Sequence, residues 1–234
     1  VSSSKQIICK GETVMLTASG GDSYIWSPGG QNTSSITDSP DITTTYTVIG
    51  TKSIIGCADT ATILITVNIP PNAPVAGSNS PICVVQTLQL TAEPTIIGAN
   101  YLWEGPDNFG SDLQNPIITA VSTVKAGVYS VTATVNGCTS PAGTTDVIVN
   151  STPTTPSQIN GPQSVCVNST HKYSIDVVPN ATLYEWTIPD GATIVSGQGT
   201  TNIEIRFEKE IVLDEIKVVA KNDCGSGDAS KIPI

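Results

Sequence analysis

Apolar and polar side chains alternate in "TVMLTA" from Thr13, "TLQLTA" from Thr87, "YSVTATV" from Tyr129, "IEIRF" from Ile203 and "IKVVAK" from Ile216. Alternation at period two is the mark of a strand with one face buried. No window sustains the i, i+3, i+4, i+7 apolar spacing of a helix, so the chain reads as all-β. The turn clusters "SGGD", "SPGGQN", "EGPDNFGSD" and "PDGA" separate the runs into strands of four to seven residues, which predicts antiparallel sandwiches.

The cysteines set a longer period. Cys9 and Cys57, Cys83 and Cys138, and Cys166 and Cys224 each bracket one tryptophan: Trp26, Trp103 and Trp186. First cysteines are 74 and 83 residues apart, second cysteines 81 and 86, and tryptophans 77 and 83, so one unit of about 80 residues occurs three times. Between the units lie "NIPPNAPVAGSNSP" (Asn68 to Pro81) and "NSTPTTPSQINGP" (Asn150 to Pro162), which hold seven of the sixteen prolines and read as semi-rigid linkers. Domains at 1–70, 71–151 and 152–234 follow. The expected architecture is three tandem immunoglobulin-like β-sandwich domains with one disulfide each.

In that frame Leu16, Leu90 and Tyr173 fall on strand B. The three tryptophans are the core aromatics of strand C, and "TTYTVIG", "GVYSVTAT" and "EIKVVAK" are strand F. Each Trp is preceded two residues earlier by a tyrosine, Tyr24, Tyr101 or Tyr184, on the same strand face. The third unit lacks the strand F tyrosine and offers Val218 instead. Each first cysteine precedes strand B and each second follows strand F, which predicts bonds Cys9–Cys57, Cys83–Cys138 and Cys166–Cys224 across one end of each sandwich. Paired cysteines in every repeat imply an oxidising compartment, extracellular or cell-surface.

Charge narrows the partners. With 20 acidic and 10 basic residues the net charge is -10, which opposes binding to phosphate backbones and excludes nucleic acid as the expected partner. No run of 18 apolar residues occurs, so no membrane-spanning helix is expected, and the chain begins without a signal peptide and reads as a piece of a longer one.

Candidate chemistry is sparse. His171 stands alone among histidines, and no hydrolase, metalloprotease or nucleotide-binding fingerprint occurs, so we expect no enzyme in these residues. No cofactor is implied. Asp107 and Asp112, with Asn108 and Asn115, make one candidate calcium loop, against the alternative of a turn that uses Asp and Asn for their local bonding. Asn32, Asn150, Asn168 and Asn180 head N-x-S/T triplets. All three tryptophans are assigned to the core, so a sugar-stacking platform has no spare Trp.

The stretches "ICKGETVMLTASGGDSYIWSPGG", "SPDITTTYTVIGT" and "GCADTATILITV" resemble the Ig-like repeats of very large surface and secreted proteins of Bacteroidota. The second unit, with "PICVVQTLQLTA" and "AGVYSVTATVNGCTS", is similar to another subtype, and the third, with "YEWTIPDGATIVSGQGTTNIEIRF", to the PKD-like subtype. The resemblance implies a non-catalytic stalk or spacer of an adhesin exported by the type IX route, with neighbouring domains of a longer chain as partners. The alternative it implies is an accessory module of a secreted polysaccharide-degrading enzyme, with surface polysaccharide or glycan as ligand. It also implies O-glycosylation at Thr60, in Asp59-Thr60-Ala61. It carries over no catalytic residue.

Overall fold

The computed structural model describes every residue except Ile55. Among the described residues all regular structure is β-strand except one 3-10 turn at Thr123–Lys125. By internal contacts the chain forms two compact units that interleave in sequence. One comprises Val1–Gly77, Leu90–Pro116 and Tyr129–Thr145, and the other Ser78–Gln89, Ile117–Val128 and Asp146–Ile234. The middle sequence repeat therefore contributes segments to both.

In the first unit Ser2–Ser3, Val14–Thr17 and Ser35–Asp38 form one sheet, and Ile7–Cys9, Cys57–Asn68, Thr44–Lys52 and Ser23–Ser27 form a second. Alternation decides which side chains they enclose: Tyr24 and Trp26 point inward while Ile25 between them is exposed. Ile8, Val14, Leu16, Trp26, Ile36, Tyr46, Val48 and Ile65 make the core. The same unit holds the hairpin Asn100–Gly105 with Phe109–Ser111.

The second unit repeats this plan. Thr170–Ser174, Asn202–Phe207 and Ala192–Ser196 form one sheet, and Leu183–Thr187 pairs with Glu215–Asn222, which also pairs with Gly225–Ser226 and Ser230–Pro233. Tyr173, Trp186, Ile203, Ile205, Phe207, Ile216 and Val218 are in its core.

One register recurs three times. Trp26 lies opposite Val48, Trp103 opposite Val131 and Trp186 opposite Val218 on antiparallel neighbours. A buried Trp on strand C facing strand F is the immunoglobulin-like arrangement. It also corrects the reading of the third repeat. Val218 is the counterpart of Val48 and Val131, so Ile216, two residues earlier, occupies the place of Tyr46 and Tyr129. A branched aliphatic side chain fills that core position without a hydroxyl to satisfy.

The cysteine pairing differs from the expected one. Cys9 is bonded to Cys138 and Cys83 to Cys224, at Cα–Cα separations of 5.6 and 5.4 Å. The expected pairs Cys9–Cys57, Cys83–Cys138 and Cys166–Cys224, one within each repeat, are not formed. Strand geometry gives the reason. Ile7–Cys9 runs parallel to Cys57–Asn68 and aligns Cys9 with Asn68, at the far end of the strand that Cys57 begins. Eleven strand residues span about 36 Å, whereas a disulfide needs Cα atoms within roughly 7 Å. A cysteine before strand B and one in the turn after strand F sit at opposite ends of a sandwich, because the turn after strand F shares its end with the loop between strands B and C.

Candidate functional site: the cysteine bridges

Each first cysteine opens the same tight turn. The backbone N–H three residues on donates to the cysteine carbonyl: Glu12 to Cys9 at 2.9 Å, Gln86 to Cys83 at 3.2 Å and Ser169 to Cys166 at 3.1 Å. The residue two positions on has positive φ, Gly11 at 89°, Val85 at 69° and Asn168 at 65°, as a type II turn requires. Gly and Asn suit that conformation, while a β-branched valine is strained in it. The turn is closed by a side chain. Glu12 accepts from the Cys9 N–H at 3.0 Å, Gln86 accepts from the Cys83 N–H at 2.9 Å, and the Ser169 hydroxyl donates to the Cys166 carbonyl at 2.5 Å. The Cys9 N–H, with Lys5 beside it, holds the exposed Glu12 carboxyl below its usual range.

The residue after each bonded first cysteine is anchored to the strand that leads into a proline-rich segment. Lys10 N–H donates to the Asn68 carbonyl at 2.9 Å, and Val84 N–H to the Asn150 carbonyl at 2.8 Å. Cys9 and Cys83 therefore sit where the chain leaves for the next repeat. Their partners lie at the turn that follows strand F of that next repeat. Cys138 follows Asn136 and Gly137, whose φ values of 51° and 80° fit a type I′ hairpin turn, with Val135 opposite Cys138. Cys224 lies between the paired residues Asn222 and Gly225.

Asparagines and glycines reinforce both bridges. Beside Cys9–Cys138 the Asn68 side chain donates to the Asn136 carbonyl at 3.1 Å, and beside Cys83–Cys224 the Asn222 side chain donates to the Ser151 carbonyl at 2.8 Å. A Cβ on Gly143 would meet the Pro74 carbonyl oxygen at 1.8 Å, and one on Gly227 the Pro153 carbonyl oxygen at 2.5 Å. The two proline-rich segments thus run against positions where glycine leaves room for their carbonyls. Their prolines Pro74 and Pro153 are buried, while Asn72, Ala73, Thr154 and Thr155 are exposed. By the chain-entropy relation, closing a loop of 129 or 141 residues stabilises the fold by about 5 kcal/mol. The loops overlap between Cys83 and Cys138, so the pair contributes less than twice that. Cys57 and Cys166 are both exposed, and Cys166 carries a free thiol.

The aromatics are occupied structurally. All three tryptophans and all six tyrosines are buried, and Phe207 with them. Each indole N–H donates to a backbone carbonyl: Trp26 to Thr33 at 2.9 Å, Trp103 to Gln114 at 3.0 Å and Trp186 to Thr200 at 2.8 Å. The tyrosines two residues before them cap the preceding loop, their hydroxyls accepting from the N–H groups of Gly21, Ile96 and Val178 at 2.9, 2.9 and 2.8 Å. Tyr173 donates to the Pro162 carbonyl at 2.9 Å, and burial pushes its phenol up to about 12. Burial, with the Asp38 carboxylate accepting at 2.6 Å, raises Tyr46 further. Phe109, half-buried, stacks edge-on against Tyr129.

The remaining candidates are separate. His171 Nε2 lies 2.9 Å from the Ser169 hydroxyl. That hydroxyl closes the turn as Glu12 and Gln86 do elsewhere, which gives it a structural task. Asp107 and Asn108 have φ of 55° and 54° and form the hairpin turn between Gly105 and Phe109. Among the described residues no three His, Cys, Asp or Glu side chains gather to hold a metal ion. Asn168 and Asn180 occupy left-handed turn positions, and Asn32 and Asn150 are exposed. Thr60 is exposed on Cys57–Asn68, opposite Ile49, and its N–H donates to the Asp59 carboxylate at 2.8 Å. It borders an open depression of about 260 Å³ with Tyr24, Gly50 and Asp59. Among the described residues no helix is long and apolar enough to cross a membrane.

Residues 152–234 match the family described as a PKD-like domain. No match was found among curated proteins. Solved structures similar to this chain include three domains of titin, 13% identical over 94% of this chain and 90% of that one, with a TM-score of 0.42. Three N-terminal domains of the highly immunogenic outer capsid protein of bacteriophage RB49 are 16% identical over 99% of this chain and 95% of that one, with a TM-score of 0.38. One chain of the crystal structure of the mouse coronavirus receptor-binding domain complexed with its murine receptor is 13% identical over 69% of this chain and 99% of that one, with a TM-score of 0.42.

Proposed function

We propose that this chain is a non-catalytic spacer of an extracellular bacterial surface adhesin, built from three Ig-like domains at 1–70, 71–151 and 152–234, the last of them PKD-like. The observation that carries the reading is the pair of disulfides, each of which crosses one proline-rich segment, Asn68 to Pro81 or Asn150 to Pro162. Covalent bonds laid across the connections between domains suit a segment whose task is to hold other modules in place in an oxidising environment. The burial of every Trp and Tyr supports a scaffold over a sugar-binding platform, which needs an exposed aromatic face. The acidic surface disfavours self-association.

A pull-down on insoluble polysaccharides, with a glycan array alongside, tests this. The spacer reading expects the oxidised chain to stay in the supernatant and to bind no glycan. Specific retention would replace it with the accessory module of a polysaccharide-degrading enzyme. The proposal includes O-glycosylation at the exposed Thr60, expected as added hexose mass on the peptide that contains it in natively secreted protein. An unmodified peptide would remove that part.

A further inference from the structure

We infer that the two disulfides make this chain a nick-tolerant tether: any single backbone cleavage between Cys9 and Cys224 leaves it covalently in one piece. The inference follows from the order of the four cysteines. Cys9 bonds Cys138 and Cys83 bonds Cys224, so the second loop opens inside the first and closes beyond it. Every peptide bond from Cys9 to Cys224 therefore lies inside at least one disulfide loop, and those between Cys83 and Cys138 lie inside both.

Besides the unbroken backbone, three covalent routes through sulfur join Cys9 to Cys224. One crosses to Cys138 and continues forward along the backbone. Another follows the backbone to Cys83 and crosses there. The last crosses to Cys138, returns along the backbone to Cys83 and crosses again. One cut interrupts the direct backbone and only one of these three, so two routes remain.

Bonds within each repeat would not do this. They would leave Asn68 to Pro81 and Asn150 to Pro162 outside any loop, and those segments carry exposed backbone at Asn72–Ala73 and Thr154–Thr155. Exposed segments of small and polar residues are where endoproteases cut first. The agent to which the arrangement answers is thus an extracellular endoprotease. It adds one water across a peptide C–N bond, and the chain ends it creates stay joined through sulfur. A tether between an anchor and a distal module keeps its function after such a cut, and in that respect the inference rests on the spacer reading. The connectivity itself does not depend on it.

The test inserts a site-specific endoprotease recognition sequence into the whole chain, between Asn72 and Ala73 in one version and between Thr154 and Thr155 in another. After cleavage, free thiols are alkylated and the chain is denatured without reductant. One species heavier by a single water is expected in both versions, separating into two fragments only when dithiothreitol reduces the disulfides. Two fragments without reductant, from either version, would overturn the inference. Paired variants assign the bridges. C83S with C224S should release fragments after the Thr154–Thr155 cut and leave the Asn72–Ala73 version whole, and C9S with C138S should do the reverse. Either pair behaving otherwise would also overturn it. Because the readout is made in denaturant on chains with native cysteines, reduced stability of a variant does not mask the primary result. A one-piece outcome together with polysaccharide retention would keep the tether and discard the spacer role.

Discussion

Val85 shows how the repeat constrains single positions. It occupies the left-handed corner that Gly11 and Asn168 fill in the other units, and it is exposed, so it gains little from burial. Val85→Gly should raise stability by about 1 kcal/mol, read as a higher denaturant midpoint at unchanged slope. Trp186 is the opposite case, a large buried side chain whose indole N–H is satisfied. Trp186→Ala should cost about 3–5 kcal/mol by the same measurement. The buried phenols set an alkaline limit. Tyr173 titrates near 12 when folded, against about 10 in an open chain, so between those values the unfolded state binds fewer protons and stability falls as pH rises. Phenolate absorbance read promptly after a jump to pH 11 should show Tyr173 still protonated in folded chain, and Tyr173→Phe should flatten the loss of stability over that window. The tryptophans and their tyrosines were legible in the sequence because their spacing repeats. The hydroxyl partners were not, because they belong to loops whose path no pattern encodes.

At the scale of elements, alternation and turn residues located the strands well. "TVMLTA" contains Val14–Thr17, "TLQLTA" overlaps Leu88–Glu93, and "TTYTVIG" opens Thr44–Lys52. In the third repeat Ile216 shares no chemistry with Tyr46 beyond being apolar, and only the pairing of Trp186 with Val218 fixes the register. The proline-rich segments read as spacers by composition, yet Pro74 and Pro153 press their carbonyls against Gly143 and Gly227. Gly143→Ala should destabilise by about 1–3 kcal/mol, because the obstructing atom is backbone and cannot rotate away. Thermal unfolding of the oxidised variant is the check, and an unchanged melting temperature would show that the segment moves aside freely.

For the molecule as a whole the disulfide pattern was hidden from the sequence for a topological reason. Equal spacing of cysteine pairs fits bonds within repeats and bonds between successive repeats equally well. The choice depends on which end of the sandwich each cysteine occupies, and Cys57 begins the long strand whose far end lies beside Cys9, which excludes the first. A residual signal existed: first cysteines precede strand B and second cysteines end strand F, positions that a sandwich separates. The same geometry makes successive repeats a covalently interlaced series and gives the spacer proposal its physical content. The most direct test is disulfide mapping of natively folded chain, digested without reduction after its free thiols are alkylated. It should yield peptides joining Cys9 to Cys138 and Cys83 to Cys224, with Cys166 recovered alkylated. Peptides joining Cys9 to Cys57 or Cys83 to Cys138 would contradict the account.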